Sequence, residues 1–446
     1  MNHTNDMKTA PINRLFIRFL IPALIAVVIK SVTIVVDTIF IGQGVGPLGL
    51  ASAGLLMPFF AFFSSFAVMV GLGGSALASI KFGQNDVKGA QALFSQSLFL
   101  AIIVVAPLCL LGWMYTEDIV ILLGAEGKLA EIAGDYLVHL FPFYFFHTLV
   151  LVLIFFVVND NNPRLPMIAI FAASVVNILL DYIFIFVLDM GIRGAAFASM
   201  FAQLTALAVL AIHFVTIQGK LKLNVQFYNV KDLLHILFSG SPVFLLELGA
   251  SVAMMVFNYV LLNQYSDNHL AAYGVSMNIA MVLLFLFGAI GQACQPIISF
   301  SHGAGNQQRS WQTLKLGFYT SAFIGLFAIL FLQLTHQWII PLYTDGNSEV
   351  DILASQAILW YFWAAPLLGI NLMAASYYQA IEQPVTSTLI GLSRSLVFYL
   401  AALFVLPLWW PEQGIWMLTL FAETLTILLV AIIFRRLQVA PRFIAK

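Results

Sequence analysis

Four oxygen-bearing side chains interrupt runs that are otherwise apolar: Asp37 in "TIVVDTIFIG", Asn177 and Asp181 in "NILLD", and Ser199 in "GIRGAAFAS". An ionised group halfway along an apolar helix in lipid costs roughly 2.5–3.5 kcal/mol on insertion scales, so it normally faces a bundle interior or a wet cavity. Asn177 and Asp181 are four residues apart and share one helix face. At about 1.5 Å of rise per residue, Asp37 falls about 8 Å below the outer end of its helix, Asp181 about 12 Å and Ser199 about 8–12 Å. The set therefore occupies one level on three helices. Two carboxylates brought together at low dielectric cannot both stay ionised cheaply, so such a set takes up a proton. Alternatively its carboxylate, amide and hydroxyl oxygens act as hard ligands for a small cation. The spacing leaves both chemistries open, and a satisfied structural pair is the bland alternative.

Other polar residues inside apolar runs need the same scrutiny. Lys30 precedes Asp37 by seven residues, on the same helix face and about 10 Å deeper. Its long stem favours a snorkelling, structural role over that of a tethered counter-cation. Arg394, Glu423 and Glu247 fall about 14, 17 and 15 Å from the cytoplasmic ends of their helices. They suggest a second polar cluster, with Arg394 neutralised by Glu423, Glu247 or both. His139 and His147 are eight residues apart on one helix, which separates them by roughly 80° and about 12 Å. They do not hold one metal unaided. HExxH, DDxxD and GxSxG are absent from suitable settings, so an intramembrane enzyme is not expected. Cys109 and Cys294 form no CxxC pair, which argues against metal or redox chemistry.

The elements that must carry these residues follow from composition. The chain has 446 residues, 61% hydrophobic and 9% charged, with a mean hydropathy of +0.97. Soluble domains run near ~25% charged, so this chain needs lipid as its solvent and reads as an all-α integral membrane protein. A net charge of −1 offers no basic field for nucleic acid. No cleavable signal is expected, because the first apolar run, of roughly 25 residues, reads as a true span. Twelve spans are predicted, near 14–42, 48–80, 90–114, 133–158, 164–188, 192–217, 237–265, 269–299, 311–337, 353–381, 385–408 and 413–434. The one long connection divides an N-terminal six-helix lobe (1–217) from a C-terminal one (237–446). This linker, 218–236, carries Lys220, Lys222 and Lys231. Of nineteen Lys and Arg, fifteen fall on the side of the N-terminus, Arg442 and Lys446 among them; Lys128 and Arg193 lie opposite, and Lys30 and Arg394 lie within spans. That asymmetry predicts both termini in the cytoplasm. Asp345, Glu349 and Asp351 gather in one outer loop.

The halves match at a near-constant offset. Pro22 meets Pro242, Leu50-Ala51 with Gly54 meets Leu270-Ala271 with Gly274, and Gly83 meets Gly303, each 220 apart, while Pro163 meets Pro384 at 221. Six spans per half insert the same way up, so the lobes are expected to be related by a pseudo-twofold along the membrane normal. Repeats of this kind accompany alternating access, which makes a transporter the expected class. A channel is the rival, and current without exchange would identify it.

"VDTIFIGQGVGPLGLASAG" closely resembles the first-helix signature of multidrug and toxic compound extrusion (MATE) transporters. "FGAIGQACQPIISFSHGAGN" resembles the second-half signature of that family, particularly its MepA-like, DinF-related branch. "NILLD" followed by "GIRGAAFAS" resembles its helix 5–6 pair. The resemblance covers essentially the whole chain. It implies a two-lobe exporter of chemically varied, often cationic and aromatic compounds, driven by inward movement of Na⁺ or H⁺. It further implies that Asp37, Asn177, Asp181 and Ser199 form the proton or Na⁺ site, although relatives often carry Thr at the last position. Pro22 matches a proline where helix 1 is proposed to bend. Glu247, Gln292, Gln295 and Arg394 fit the branch pattern. The substrate cavity is expected between the lobes, lined by Phe, Met and the helix 8 amides. No cofactor beyond the coupling ion is expected. The expected partners are small molecules and the bilayer, and the chain is expected to act as a monomer in the bacterial inner membrane. The alternative cargo is a lipid or lipid-linked oligosaccharide. A flippase of that kind would want a strongly cationic cavity, for which only Lys30 and Arg394 are candidates.

Overall fold

A computed structural model describes residues 7–215, 219–223, 229–342, 344, 348–411 and 413–436. Asp345, Arg442, Lys446 and part of the 218–236 linker lie outside the described residues. Within them the regular structure is entirely helical. Apolar segments in lipid must satisfy their backbone internally, and a helix does so within one segment. Among the described residues eleven helices are long and apolar enough to span, and one bent pair, counted as a single span, brings the number to twelve.

The chain folds as two compact units, one built on residues 21–240 and the other on residues 10–20 with 241 onward. It passes between them after Thr9, after Leu20 and after Gly240. The last two crossings fall inside continuous helices, next to the repeat-matched Pro22 and Pro242.

The first unit contains most of α1 (Ile12–Gly44), then α2 (Met57–Gly83), α3 (Val87–Met114), α4 (Gly127–Asn159), α5 (Arg164–Asp181) and α6 (Gly191–Val215). Short helices Pro47–Leu55 and Thr116–Leu122 complete two of its connections. The predicted span 48–80 is thus two helices that meet at Leu56. The break precedes Pro58, which donates no amide hydrogen bond and crowds the turn before it. α6 packs on α4 and α5, and α4 also covers α2 and α3. Gly194 brings α6 against α5: a Cβ there would lie 2.9 Å from the Cβ of Phe184. Ala195, Ala196 and Ala198 are fully buried beside it, the small-residue packing that lets two backbones approach.

The second unit contains most of α7 (Val230–Gln264), then α8 (Asp267–Gly303) and α9 (Gln307–Ile339). α10 follows as Ser348–Phe362 and Ala365–Ala380, then α11, which starts at Pro384 and ends at Trp409, and α12 (Leu418–Arg436). The two segments of α10 are bent by 48°, at the turn that Pro366 opens. α7 begins seven residues before its predicted start. The Asn229 side chain accepts a hydrogen bond from the Lys231 amide at 3.0 Å and caps it. Lys231 and Asp232 read as linker because a capped helical extension outside the apolar run has no hydropathy signal. Gly240, just inside the predicted span, abuts the Met69 backbone of α2 and leaves no room for a side chain.

Candidate functional site

Toward the Gly44 end, α1 docks on α5 through Phe40 and Phe186, whose rings meet edge to face at 5.5 Å. Phe40 lies three residues after Asp37, and Phe186 five after Asp181. This contact brings the two carboxyl groups within hydrogen-bonding reach of one another. α5 changes there from α- to π-helix over Tyr182–Val187, immediately after Asp181. Such insertions are frequent at functional sites, since they re-aim the side chains beside them.

The pair lacks ordinary partners. Asp37 Oδ1, both Asp181 oxygens and Asn177 Nδ2 are buried and accept or donate no conventional hydrogen bond among the described residues. Buried polar atoms rarely go unpaired, and each exception calls for an explanation. A single positive charge between the carboxyls, either a shared proton or a small cation, would satisfy them. Asn177 stands one turn from Asp181 on the same face and is buried. Ser199 is half-buried on α6 and makes no hydrogen bond to the buried pair atoms. Three of the four predicted residues thus carry the unpaired atoms, and Ser199 stands outside that set.

Tyr136 on α4 belongs to the same neighbourhood. It is buried, and its hydroxyl lies within electrostatic reach of both Asp37 and Asp181. Sequence reading missed it, although its depth was available. It lies nine residues into α4, about 13 Å by helical rise, level with the carboxyls.

A second level lies deeper in the same unit. Lys30 is eighteen residues from the start of α1 and fourteen from its end, about 27 and 21 Å. A four-carbon stem reaches neither end, so the snorkelling expectation fails on depth. Lys30 is accessible yet surrounded by protein atoms, as a residue lining a recess is. His147 on α4 lies within its electrostatic reach, with the Gln203 side chain alongside. His147 Nε2 faces Ser64 Oγ at 3.2 Å. His139 belongs to a separate network: its Nδ1 meets the Asp135 carbonyl at 2.7 Å, and Arg193 Nε pairs with the Asp135 carboxylate at 2.6 Å. The two histidines therefore serve different neighbours.

In the second unit Arg394 pairs with Glu423 at 2.8 Å, both buried. Asn371 Nδ2 donates to Glu423 Oε2 at 2.7 Å and to its backbone carbonyl at 3.0 Å. Arg394 sits in a π-helical turn, Ser393–Val397. Glu247 is exposed and lies within electrostatic reach of Arg394, so Glu423 is the direct partner and Glu247 an outlying one. Tyr361 also borders the pair. Gln295 bonds instead to Ser299 Oγ at 3.3 Å, and Gln292 is exposed.

The linker is clamped to the first unit. Buried Asp160 accepts from the Lys220 and Leu221 amides at 2.8 and 3.1 Å and from His213 Nε2 at 2.9 Å. Asn162 Nδ2 faces His213 Nδ1 at 3.3 Å, which assigns the imidazole proton to Nε2. Gln91 Nε2 adds a bond to the Lys220 carbonyl at 2.7 Å.

The family model described as MatE matches residues 22–183 and again 242–404, one match per half and more than half the chain together. A FAD transporter of Shewanella oneidensis is 27% identical over 420 residues, 90% of this chain and 89% of that one. The multidrug export protein MepA of Staphylococcus haemolyticus is 24% identical over 416 residues, 91% and 89% of the two chains. A solved MOP superfamily transporter from Pyrococcus furiosus superposes with a TM-score of 0.91 at 21% identity, covering 99% of this chain and 98% of its own. That likeness is one of fold.

Proposed function

We propose, since the chain belongs to the MatE family of membrane transporters, that it is a cation-coupled antiporter exporting small aromatic molecules by alternating access. Relatives of similar length carry both a multidrug export name and a FAD transporter name, so family membership alone leaves the cargo open. The observation that carries the coupling is the unpartnered carboxyl pair of Asp37 and Asp181. Arriving from outside, H⁺ or Na⁺ neutralises the pair. Neutralisation changes the relative stability of the outward- and inward-open states, because a bare pair repels itself and a filled one does not. Asn177 and Tyr136 stand ready to support the filled pair, with Ser199 a further proposed ligand on α6. Pro22 serves as a flexible point in α1, and the Arg394–Glu423 cluster holds the second unit's helices in register. The protein acts as a monomer in the bacterial inner membrane with both termini in the cytoplasm. It needs no resident cofactor.

The test is dye efflux from proteoliposomes, driven separately by a pH step and by a Na⁺ step. Efflux that follows one gradient in the wild type and vanishes in Asp37→Asn is the expected result. An Asp37→Asn protein that exports as well as the wild type sinks the assignment.

A further inference from the structure

Lys30 is a charge that the carboxyl pair leaves unexplained. It is too deep to reach either end of α1, and no carboxylate among the described residues forms an ion pair with it. Asp37, on the same face, is about 10 Å away by helical rise. A lysine that lines a recess without a carboxylate partner is free to offer its charge to a ligand that supplies a negative group.

Within its electrostatic reach lies His147, which belongs to a ring-binding shelf. The His147 ring stacks on Phe143 with centroids 5.2 Å apart and an interplanar angle of 17°. Phe60 lies 5.4 Å from His147 and stacks on Phe143 at 6.4 Å. Phe60 and Phe143 are only half-buried, so ring surface remains reachable. His147 itself is 5% exposed, and its Nδ1 is buried with no hydrogen-bond partner among the described residues. Four helices, α1, α2, α4 and α6, thus bring a lysine, an imidazole, a serine hydroxyl, an amide and two phenylalanine faces into one neighbourhood. A cationic ligand would meet repulsion from Lys30. A planar ligand with an anionic oxygen group would meet a charge-assisted donor beside a stacking surface.

We infer that Lys30 and the His147–Phe60–Phe143 shelf form an anion-recognising subsite, and that the exported aromatic molecule carries a carboxylate or phosphate. This rests on reading the chain as an exporter of small aromatic molecules. It also bears on mechanism. A cation on the carboxyl pair attracts an anion held at Lys30 instead of expelling it. Release must then come from the change of conformational state, not from direct displacement.

The test is equilibrium binding to the full chain in nanodiscs, with no gradient imposed, so its outcome is independent of gradient-driven dye export. Two matched pairs serve as probes: riboflavin against riboflavin 5′-phosphate, and 1-pyrenebutanol against 1-pyrenebutyrate. The wild type should prefer the anionic member of at least one pair by about tenfold or more. A preference in the first pair alone identifies a phosphate site, and one in the second alone a carboxylate site. Lys30→Met should bring that preference to within about twofold, while Lys30→Arg keeps it. The inference is overturned if the wild type binds none of the probes or binds both members of each pair equally. It is also overturned if Lys30→Met weakens neutral and anionic members alike.

Discussion

Replacing Asp37 with Asn removes one of two facing carboxyls and leaves a side chain of the same shape. Two unit charges about 4 Å apart repel by about 4 kcal/mol at an effective dielectric near 20. That repulsion strengthens the pair's hold on one positive charge by about a thousandfold over a lone carboxyl. Asp37→Asn abolishes this gain without creating a cavity, so the protein should insert and unfold thermally like the wild type, or at slightly higher temperature. Gradient-driven dye efflux in proteoliposomes should fall by at least about a hundredfold, the greater part of that factor. Asp181→Asn should do the same. The double variant should be no worse than either single one, because the two groups act as a unit. Efflux within about threefold of the wild type in either single variant would refute the reasoning. So would additive losses in the double variant.

The Arg394–Glu423 pair should behave as a structural unit in the second half. Removing one partner, as in Arg394→Met, should destabilise by about 3–5 kcal/mol, and Arg394→Met with Glu423→Met should recover most of it; thermal unfolding in detergent checks both. Asp160→Asn weakens three hydrogen bonds to a buried carboxylate and should cost about 2–4 kcal/mol. It should also make the chain near residues 219–223 quicker to cleave in limited proteolysis. Tyr136→Phe leaves packing unchanged and removes the hydroxyl beside the carboxyl pair. The gradient needed for half-maximal efflux should rise, while thermal stability shifts by less than about 1 kcal/mol. Gly240→Val has no room against α2, and its yield of folded protein after membrane extraction should drop well below that of Pro242→Ala.

The shortfalls of the sequence reading have a common physical origin. Spans such as 90–114 and 385–408 were legible because the membrane selects on one-dimensional apolar length, and α3 (Val87–Met114) and α11 match them closely. Breaks were not. Leu56 and the 48° bend in α10 lie inside uninterrupted apolar stretches, where hydropathy has no contrast and only Pro58 and Pro366 mark the turn. The early start of α7 was missed for the opposite reason: Lys231 and Asp232 are polar, and a helix held by an Asn229 cap and packing on α2 needs no apolar run.

Depth along a helix is a matter of counting residues, and so the primary structure alone put Asp37 and Asp181 at a shared level, whereas the snorkelling expected of Lys30 fails against the full length of α1 (Ile12–Gly44). Which way each side chain turns around its axis is settled by neighbours distant in sequence. Docking of Phe40 on Phe186 joins the carboxyls, the close approach at Gly194 sets α6 beside them, and the bundle brings Tyr136 into their field. The same rule selects Glu423 over Glu247 for Arg394 and stacks Phe60 and Phe143 around His147, within electrostatic reach of Lys30. Rise per residue is a property of the helix itself, whereas azimuth is a property of what the helix packs against.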